Sequence, residues 1–597
     1  MLKIMKTNIY NKVKKATRGM SNLLLIPLLP LLLGSCVDTV ILPDDKTVDE
    51  DFWKSKSDVQ LMVNGAYKSM LSTDIVKRLI VWGDLRSDEL LPVVSVQGSA
   101  AQRVLEDLIE INTANTQYDN EFVTWNAFYS VINNCNLVLA RAAAVMNEDP
   151  SYTQGDYLAD CSQMLALRSL CYFYLVRAYR DVPYTTEAYM NSSQNMDIPQ
   201  SDPETVLRAC IKDLEQAEKN AISPLAYTDW RRVGYFTRDG IQALLADIYL
   251  WLGSVNRNAA DYAKAVEYCD KVIASKKSQF VARQRNAVAA TQMEYPLVKG
   301  NEMFNDLFVS QNGEESIFEL QYNGTNSNTA VCEMFNSYAS GRSTGYLQAP
   351  TIFAKSQVVY TTTGTSANDY RAIQNTYKAN GDQLDIRKMV EQESQYLSTA
   401  TGDAKAVPQT RRAYSSYRQN YIIYRLTDVM LMKAEALMAQ AADDDDAAYL
   451  QPAFHLVQAV NLRSKDAESD SLKWNTYKSG RASIENLILA ERLRELAFEG
   501  KRWYDLLRFN YRHADAMTDY KSTLSAIGER KEPFVPTTND MLQLMARKLG
   551  SQGSAVSAKL GNEATLYMPV PKTDLEVCPV LKQNPAYSTG NIYEKNY

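Results

Sequence analysis

Glu491, Glu495 and Glu499 recur at four-residue steps, with Arg492, Arg494 and Arg502 interleaved. On a helix that spacing puts three carboxylates on one face. Such carboxylates serve as a general acid and base, or hold two metal ions inside a helix bundle. Neither chemistry suits this stretch. Carboxylates beside guanidiniums stay ionised, whereas a general acid needs surroundings that raise its pKa. A dimetal bundle needs Glu-x-x-His, which the sequence lacks. The stretch is therefore expected to be a structural ion-pair network.

Only two histidines, His455 and His513, occur in 597 residues. A Ser-His-Asp triad or a histidine zinc site would have to be built from them, and neither stands in H-E-x-x-H spacing. The run Asp443-Asp444-Asp445-Asp446 lacks the alternate-position spacing of a calcium loop and is expected to be a solvated loop before a helix start. No Walker loop, Rossmann fingerprint or G-x-S-x-G elbow occurs. No catalytic residue, metal or cofactor is expected.

Charge narrows the partners. Residues 1–35 hold Lys3, Lys6, Lys12, Lys14, Lys15 and Arg18 and no acid; without them 58 basic and 70 acidic groups remain, a net charge of −12. An acidic chain is a poor match for a phosphate backbone, so no nucleic-acid partner is expected. The basic residues precede an eleven-residue apolar run at 23–33, broken by Pro27 and Pro30. That is short of the roughly 20 residues a spanning helix needs and reads as a secretory signal peptide. Its end, Leu33-Gly34-Ser35-Cys36, resembles a bacterial lipobox, so Cys36 is expected to be acylated and to become the new N-terminus. Two or more acyl chains anchor a protein durably without a transmembrane span. The other seven cysteines, Cys135, Cys161, Cys171, Cys210, Cys269, Cys332 and Cys578, are odd in number and form no C-x-x-C. Most fall in apolar helical runs and are expected to be buried free thiols.

The elements that position these residues are mainly helices. Leu165, Arg168, Tyr172, Leu175 and Tyr179 form one helical face, ending at Asp181-Val182-Pro183 where proline stops the helix. Ile241, Leu244, Leu245, Ile248, Trp251 and Leu252 form a second, with Ala243 and Ala246 leaving room for a neighbour; Tyr262, Ala265, Val266 and Cys269 begin a third. Helix, short turn, helix with inner alanines resembles a tetratricopeptide unit, and the arrangement recurs at 429–438 followed by 453–462. Residues 300–420 differ: Gly, Ser, Thr, Asn and Tyr replace Ala and Leu, and residues 315–322 alternate like a strand. The expected organisation is a signal peptide at 1–35, a helical region at 36–299, a loop-rich insertion at 300–420 and a second helical region at 421–597.

The stretch Glu491-Arg492-x-x-Glu495-Leu496-x-Phe498-Glu499-Gly500-x-Arg502-Trp503-x-Asp505-Leu506 resembles the C-terminal signature of the SusD/RagB family of surface lipoproteins. Further matches stand in the family's order: Phe52-Trp53 with Asn64-Gly65-Ala66-Tyr67; Trp125 through Asn136; Leu167-Arg168 to Asp181-Val182-Pro183; Tyr424-Arg425-x-x-Asp428-Val429 with Ala434-Glu435-Ala436; Pro569-Val570-Pro571; and Gln583-Asn584-Pro585-Ala586-Tyr587. Arg180 and Ala586 stand where the family usually has glycine, each at a turn. The resemblance implies a mostly α fold, with tetratricopeptide-like hairpins, an irregular loop-rich binding region and a few short strands. It also implies a non-catalytic, lipid-anchored outer-membrane protein facing the exterior. Such a protein binds a nutrient, an oligosaccharide or in some members a peptide, and delivers it to a SusC-like TonB-dependent barrel. A tetratricopeptide-type envelope scaffold is the alternative from another class, and a glycosidase is a third.

Sugars offer C–H faces to aromatic rings and hydroxyls to polar side chains at the rim. Trp53, Trp125, Trp251 and Trp503 lie in helical motifs and are assigned to the core, which leaves Trp82, Trp230 and Trp474. Trp82 opens the polar stretch that also holds Tyr118, and residues 335–346 add Phe335, Tyr338, Arg342 and Tyr346. These six are the expected ligand-contact residues.

Overall fold

The computed structural model describes residues 52–191, 193–283, 294–322, 326–335, 345–350, 369–380, 383–389, 417–465, 471–513 and 548–587. The chain starts with α1 (Lys56–Met70), capped by a box in which Ser55 and Asp58 bond each other's backbone, and α2 (Thr73–Ile80), capped by Ser72. Next come β1 (Leu91–Pro92), α3 (Ser99–Asn112), α4 (Asn126–Glu148), α5 (Gln154–Tyr179), β2 (Val182–Pro183), β3 (Gln200–Ser201) and α6 (Pro203–Asn220). The middle of the chain holds α7 (Arg231–Gly234), α8 (Arg238–Asn256), α9 (Ala259–Arg283), β4 (Ser316–Leu320), α10 (Thr329–Phe335), β5 (Leu347–Gln348), β6 (Thr376–Asn380) and β7 (Gln383–Ile386). Then come β8 (Tyr421–Arg425), α11 (Leu426–Gln440), α12 (Ala447–Arg463), α13 (Arg481–Glu495) and α14 (Arg502–His513), followed by two short helices, Gly553–Leu560 and Lys572–Val577.

Consecutive helices pack as hairpins, α4 on α5, α5 on α6, α8 on α9 and α11 on α12, and α9 on α11 joins two of these pairs. Ala243, Ala246, Ala265, Ala434, Ala436 and Ala453 are fully buried, letting the backbones approach as the alanine pattern implies. The strands form four two-stranded antiparallel sheets, β1–β5, β2–β3, β4–β8 and β6–β7. The fold is thus mostly α with a few short strands, as expected. Two local readings need correcting. Helix α5 has no single buried stripe: every residue from 161 to 179 is buried, because neighbours cover it on all sides. Likewise β4 alternates in sequence but is buried on both faces.

Arg180, which ends α5 in place of the usual glycine, takes φ +69°, and its guanidinium pairs with Asp181. Ala586 keeps an ordinary negative φ, its N–H donating to Asn584 Oδ1 at 3.0 Å.

The signature carboxylates hold these layers together. Glu495 accepts from Arg425 at 2.6 Å, Arg371 at 3.0 Å and Arg463; Glu491 accepts from Arg371 at 2.6 Å and Arg494 at 2.7 Å; Glu499 takes Arg425 at 2.8 Å and Lys388 at 2.6 Å. Burial alone would raise these carboxyls, but the surrounding guanidiniums overcome it and hold all three below the usual carboxylate range. The ion-pair network is therefore present, with a different wiring. Helix α13 ends at Glu495, and Phe498 and Gly500 turn through φ +65° and +72°, so Glu499 leaves the helix face. Arg492 pairs instead with Asp428 and Asp505, and Arg502 with Asp88.

Residues 443–445 form an exposed loop and Asp446 is half-buried. Asp444 accepts from the Arg481 N–H at the start of α13 at 2.8 Å, and Asp446 is the N-terminal cap residue of α12. Six of the seven described cysteines are buried and Cys578 is half-buried, and none of them is in a disulfide.

Candidate ligand-binding rim

The two segments that carry the expected ligand contacts do meet. β1 pairs with β5, Leu91 opposite Gln348 and Pro92 opposite Leu347, and the Val93 N–H donates to the Tyr346 carbonyl at 2.9 Å. This pairing joins chain segments some 250 residues apart on a frame of helices. Behind it, Lys77 of α2 meets Glu333 of α10 at 2.5 Å. Val94 stands 82% exposed just beyond the pairing. Tyr346 is half-buried, and burial raises its phenol above the usual range. Tyr118 is half-buried as well; its carbonyl accepts from the Lys572 N–H at 2.8 Å, and the Lys572 ammonium lies 5.6 Å from the ring centroid. Tyr346 and Tyr118 therefore keep partly open faces. Tyr338, Arg342 and the lipobox Cys36 lie outside the described residues.

Trp82 and Phe335 do not belong to a ligand surface. Trp82 is 1% exposed; its indole N–H donates to the Phe122 carbonyl at 2.9 Å, it stacks on Phe128 at 5.1 Å, and it meets Tyr179 edge-on at 5.4 Å. The adjoining Asp84 accepts the N–H groups of Gly500 at 2.8 Å and Arg502 at 3.2 Å, so the Trp82-Gly83-Asp84 segment docks the signature turn. A Cβ on Gly83 would lie 2.1 Å from the Gly500 carbonyl oxygen, which is why no side chain fits there. Phe335 is fully buried at the end of α10. Both residues pack the core because polar sequence neighbours do not imply exposure when those neighbours are themselves buried; Asp84, Arg86, Ser87, Asp88 and Glu89 all are.

The remaining tryptophans divide plainly. Trp53, Trp125, Trp251 and Trp503 are buried as expected, and Trp474 packs edge-on against Phe454 at 5.4 Å. Trp230 is 43% exposed, the one tryptophan among the described residues that faces solvent to that extent. Its setting in Tyr227-Thr228-Asp229-Trp230-Arg231-Arg232, an aromatic within a polar run and outside every helical stripe, was the signal for it.

Among the described residues no group of three or more His, Cys, Asp or Glu side chains is arranged to hold a metal ion, and no helix is long and apolar enough to cross a membrane.

Comparison with known proteins agrees with the helical frame. A SusD family model matches residues 321–587, and a model described as starch-binding and associating with the outer membrane matches residues 45–250. The chain belongs to the SusD family, whose second model carries that outer-membrane description. Two SusD-like proteins of Formosa agariphila are each 25% identical, over 80% of this chain and 89% and 88% of their own. A SusD superfamily protein of Bacteroides thetaiotaomicron superposes with a TM-score of 0.61 at 20% identity, covering 90% of this chain and 99% of that one. B. fragilis NanU superposes with a TM-score of 0.60 at 18% identity, over 92% and 100%.

Proposed function

We propose that the protein is a non-catalytic surface lipoprotein, anchored through Cys36 to the outer membrane and facing the exterior. It binds an oligosaccharide and passes it to a SusC-like TonB-dependent barrel. The observation that carries this reading is the β1–β5 pairing, which sets the half-buried Tyr346 and the exposed Val94 on a rigid helical support. Loops on such a support are where binding surfaces are commonly built. Tyr118, Tyr338, Arg342 and Tyr346 are the ligand contacts in this reading; Trp82 and Phe335 are left out because they are core. The engaged state of Glu491, Glu495 and Glu499 supports binding over hydrolysis, since none is free to exchange a proton. A peptide ligand in place of the glycan is the alternative within the same family.

The test is calorimetry with oligosaccharides and peptides on Tyr346→Ala and Tyr118→Ala, together with affinity purification of the tagged chain from detergent-solubilised outer membranes. The expected result is weaker glycan binding in both variants with unchanged melting, and a TonB-dependent barrel as the co-purifying protein. Unchanged affinity in both variants, or turnover of the bound glycan, refutes the reading.

A further inference from the structure

A concave surface, about 420 Å³ in volume, opens between α1, α7 and the β4–β8 sheet, and shares no residue with the rim. The two lie at opposite ends of a helix pair. Thr73 and Thr329, at the starts of α2 and α10, touch at 3.0 Å beside Leu71 and Asn326 of the cleft. One turn further on, Lys77 meets Glu333, from which the chain leads to the rim. The eight residues of α2 span about 12 Å at the helical rise.

One wall of the cleft is aromatic. Tyr67 and Tyr235 stack at 4.9 Å, and Trp230 meets Tyr235 edge-on at 5.3 Å. Tyr67 is pinned from behind, its hydroxyl donating to Gln163 at 3.1 Å and accepting from the Phe236 N–H at 2.9 Å. Tyr235 is tied to Asn64 Oδ1 at 2.6 Å. Gly234 lets the indole lie down: a Cβ there would meet both Trp230 Cε3 and Gln321 Cγ at 2.6 Å. The result is a held aromatic cluster at the cleft, in which Trp230 is exposed and Tyr235 half-buried.

The rest of the lining beside the rings is rich in amides. Gln321 Nε2 donates to Asn312 Oδ1 at 2.8 Å, and Asn420 Nδ2 donates to Glu319 at 2.8 Å and Gln321 Oε1 at 3.2 Å. The turn that presents Gln311 and Asn312 holds two successive non-glycine residues at φ +64° and +51°. Such backbone is costly, persists where the surroundings enforce it, and clusters at functional sites. The Nδ2 groups of Asn64 and Asn312 make no hydrogen bond among the described residues, although the cleft is lined by both.

The charges are already committed. Arg231 pairs with Asp229 at 2.9 Å, and Arg232 donates to the Asn312 and Gly313 carbonyls. Glu319 is fully buried beneath the amides, and burial raises its carboxyl. Arg232 and Glu319 are thus held by neutral hydrogen-bond partners, and Lys68, exposed at the rim of the cleft with no ion pair among the described residues, is screened by water. An anionic ligand would find no guanidinium to receive it. A hydroxyl, which both donates and accepts, matches a side-chain amide, and a sugar ring matches the aromatic wall.

We propose that this cleft is a second carbohydrate site, which takes an uncharged sugar chain against Trp230 and Tyr235 with the amides of Asn64, Asn312 and Gln321 at its hydroxyls. It acts separately from the rim, so the two stand or fall by different variants. A chain that engages both gains avidity from their closeness.

The test is electrophoresis of the soluble chain, residues 37–597, through gels containing neutral polysaccharides (glucans, mannans and galactans) or acidic ones (polyuronates and sulfated galactans), followed by calorimetry on oligosaccharides of the retained polymers. The expected result is retardation by at least one neutral polymer. Trp230→Ala and Gly234→Ala then weaken binding of its oligosaccharide tenfold or more with normal melting curves, while Tyr346→Ala leaves that contribution in place. Should Trp230→Ala melt low, Gln321→Ala, which removes an amide at the cleft surface, decides in its place. The proposal is overturned by unchanged affinity in these cleft variants, by losses confined to acidic polymers or peptides, or by a wild-type chain that no neutral polymer retards. Loss of glycan binding through the rim variants alone would overturn the second site and leave the proposed function standing.

Discussion

Replacing Glu495 by Gln tests whether the signature carboxylates serve folding. The carboxylate is fully buried among Arg371, Arg425 and Arg463. Glutamine keeps the shape and one acceptor oxygen, but it removes the charge and turns an NH₂ group toward a guanidinium. Breaking a buried ion pair costs about 3–5 kcal/mol. Each arginine keeps another partner here: Asp369 and Glu491 for Arg371, Glu499 for Arg425, and Glu315 for Arg463. The expected loss is therefore near the lower end, about 3 kcal/mol. As a control, Glu314→Gln removes the partly exposed pair with Arg283, 31% and 25% exposed, and should cost less than about 1 kcal/mol. The assay is urea unfolding of both variants, read as a shift in midpoint at constant slope, with polysaccharide binding measured below the transition. The same groups set an acid limit. Their folded pKa values lie below the unfolded value of 4.5, and the Asp428 carboxyl, which burial would raise, is held down to about 2 by Lys501 and Arg492. Their contribution is therefore complete above about pH 4.5 and is lost as pH falls through their lower folded values, which for Asp428 is about 2. Stability of Glu495→Gln within about 1 kcal/mol of wild type, or a hydrolytic activity lost in that variant, would refute the structural role.

Trp82→Ala should destabilise the protein by about 3–5 kcal/mol, the cost of emptying a large buried side chain, and leave glycan affinity of the folded fraction unchanged; differential scanning calorimetry beside ligand titration separates the two effects, and a stable variant with lost binding would return Trp82 to the ligand surface. Cys36→Ala should release the chain from membranes into the soluble fraction, and intact mass should show an acylated N-terminal Cys36 in the wild type; an unmodified N-terminus elsewhere would contradict the anchor.

The helical frame was legible because helix periodicity, alanine spacing and proline stops are local. The hairpins α8–α9 and α11–α12 follow from residues a few positions apart, and α5 stops just before Asp181-Val182-Pro183. The carboxylate signature was also legible as a salt network, since its composition alone ruled out a raised pKa. Its partners were not legible: Arg371 and Arg425 reach Glu495 from 124 and 70 residues away, and only the packing of the short helix Arg371–Gln374 and of β8 against α13 brings them together. Aromatic residues posed the harder problem, because a tryptophan suits a core and a sugar equally well. Trp82 and Trp230 both stand in polar stretches of sequence, but Phe128, Tyr179 and the Phe122 carbonyl enclose one while the other lies open along α7 beside Gly234. Exposure is a property of what packs over a residue, and the residues that cover Trp82 or leave Trp230 uncovered are set by the tertiary fold.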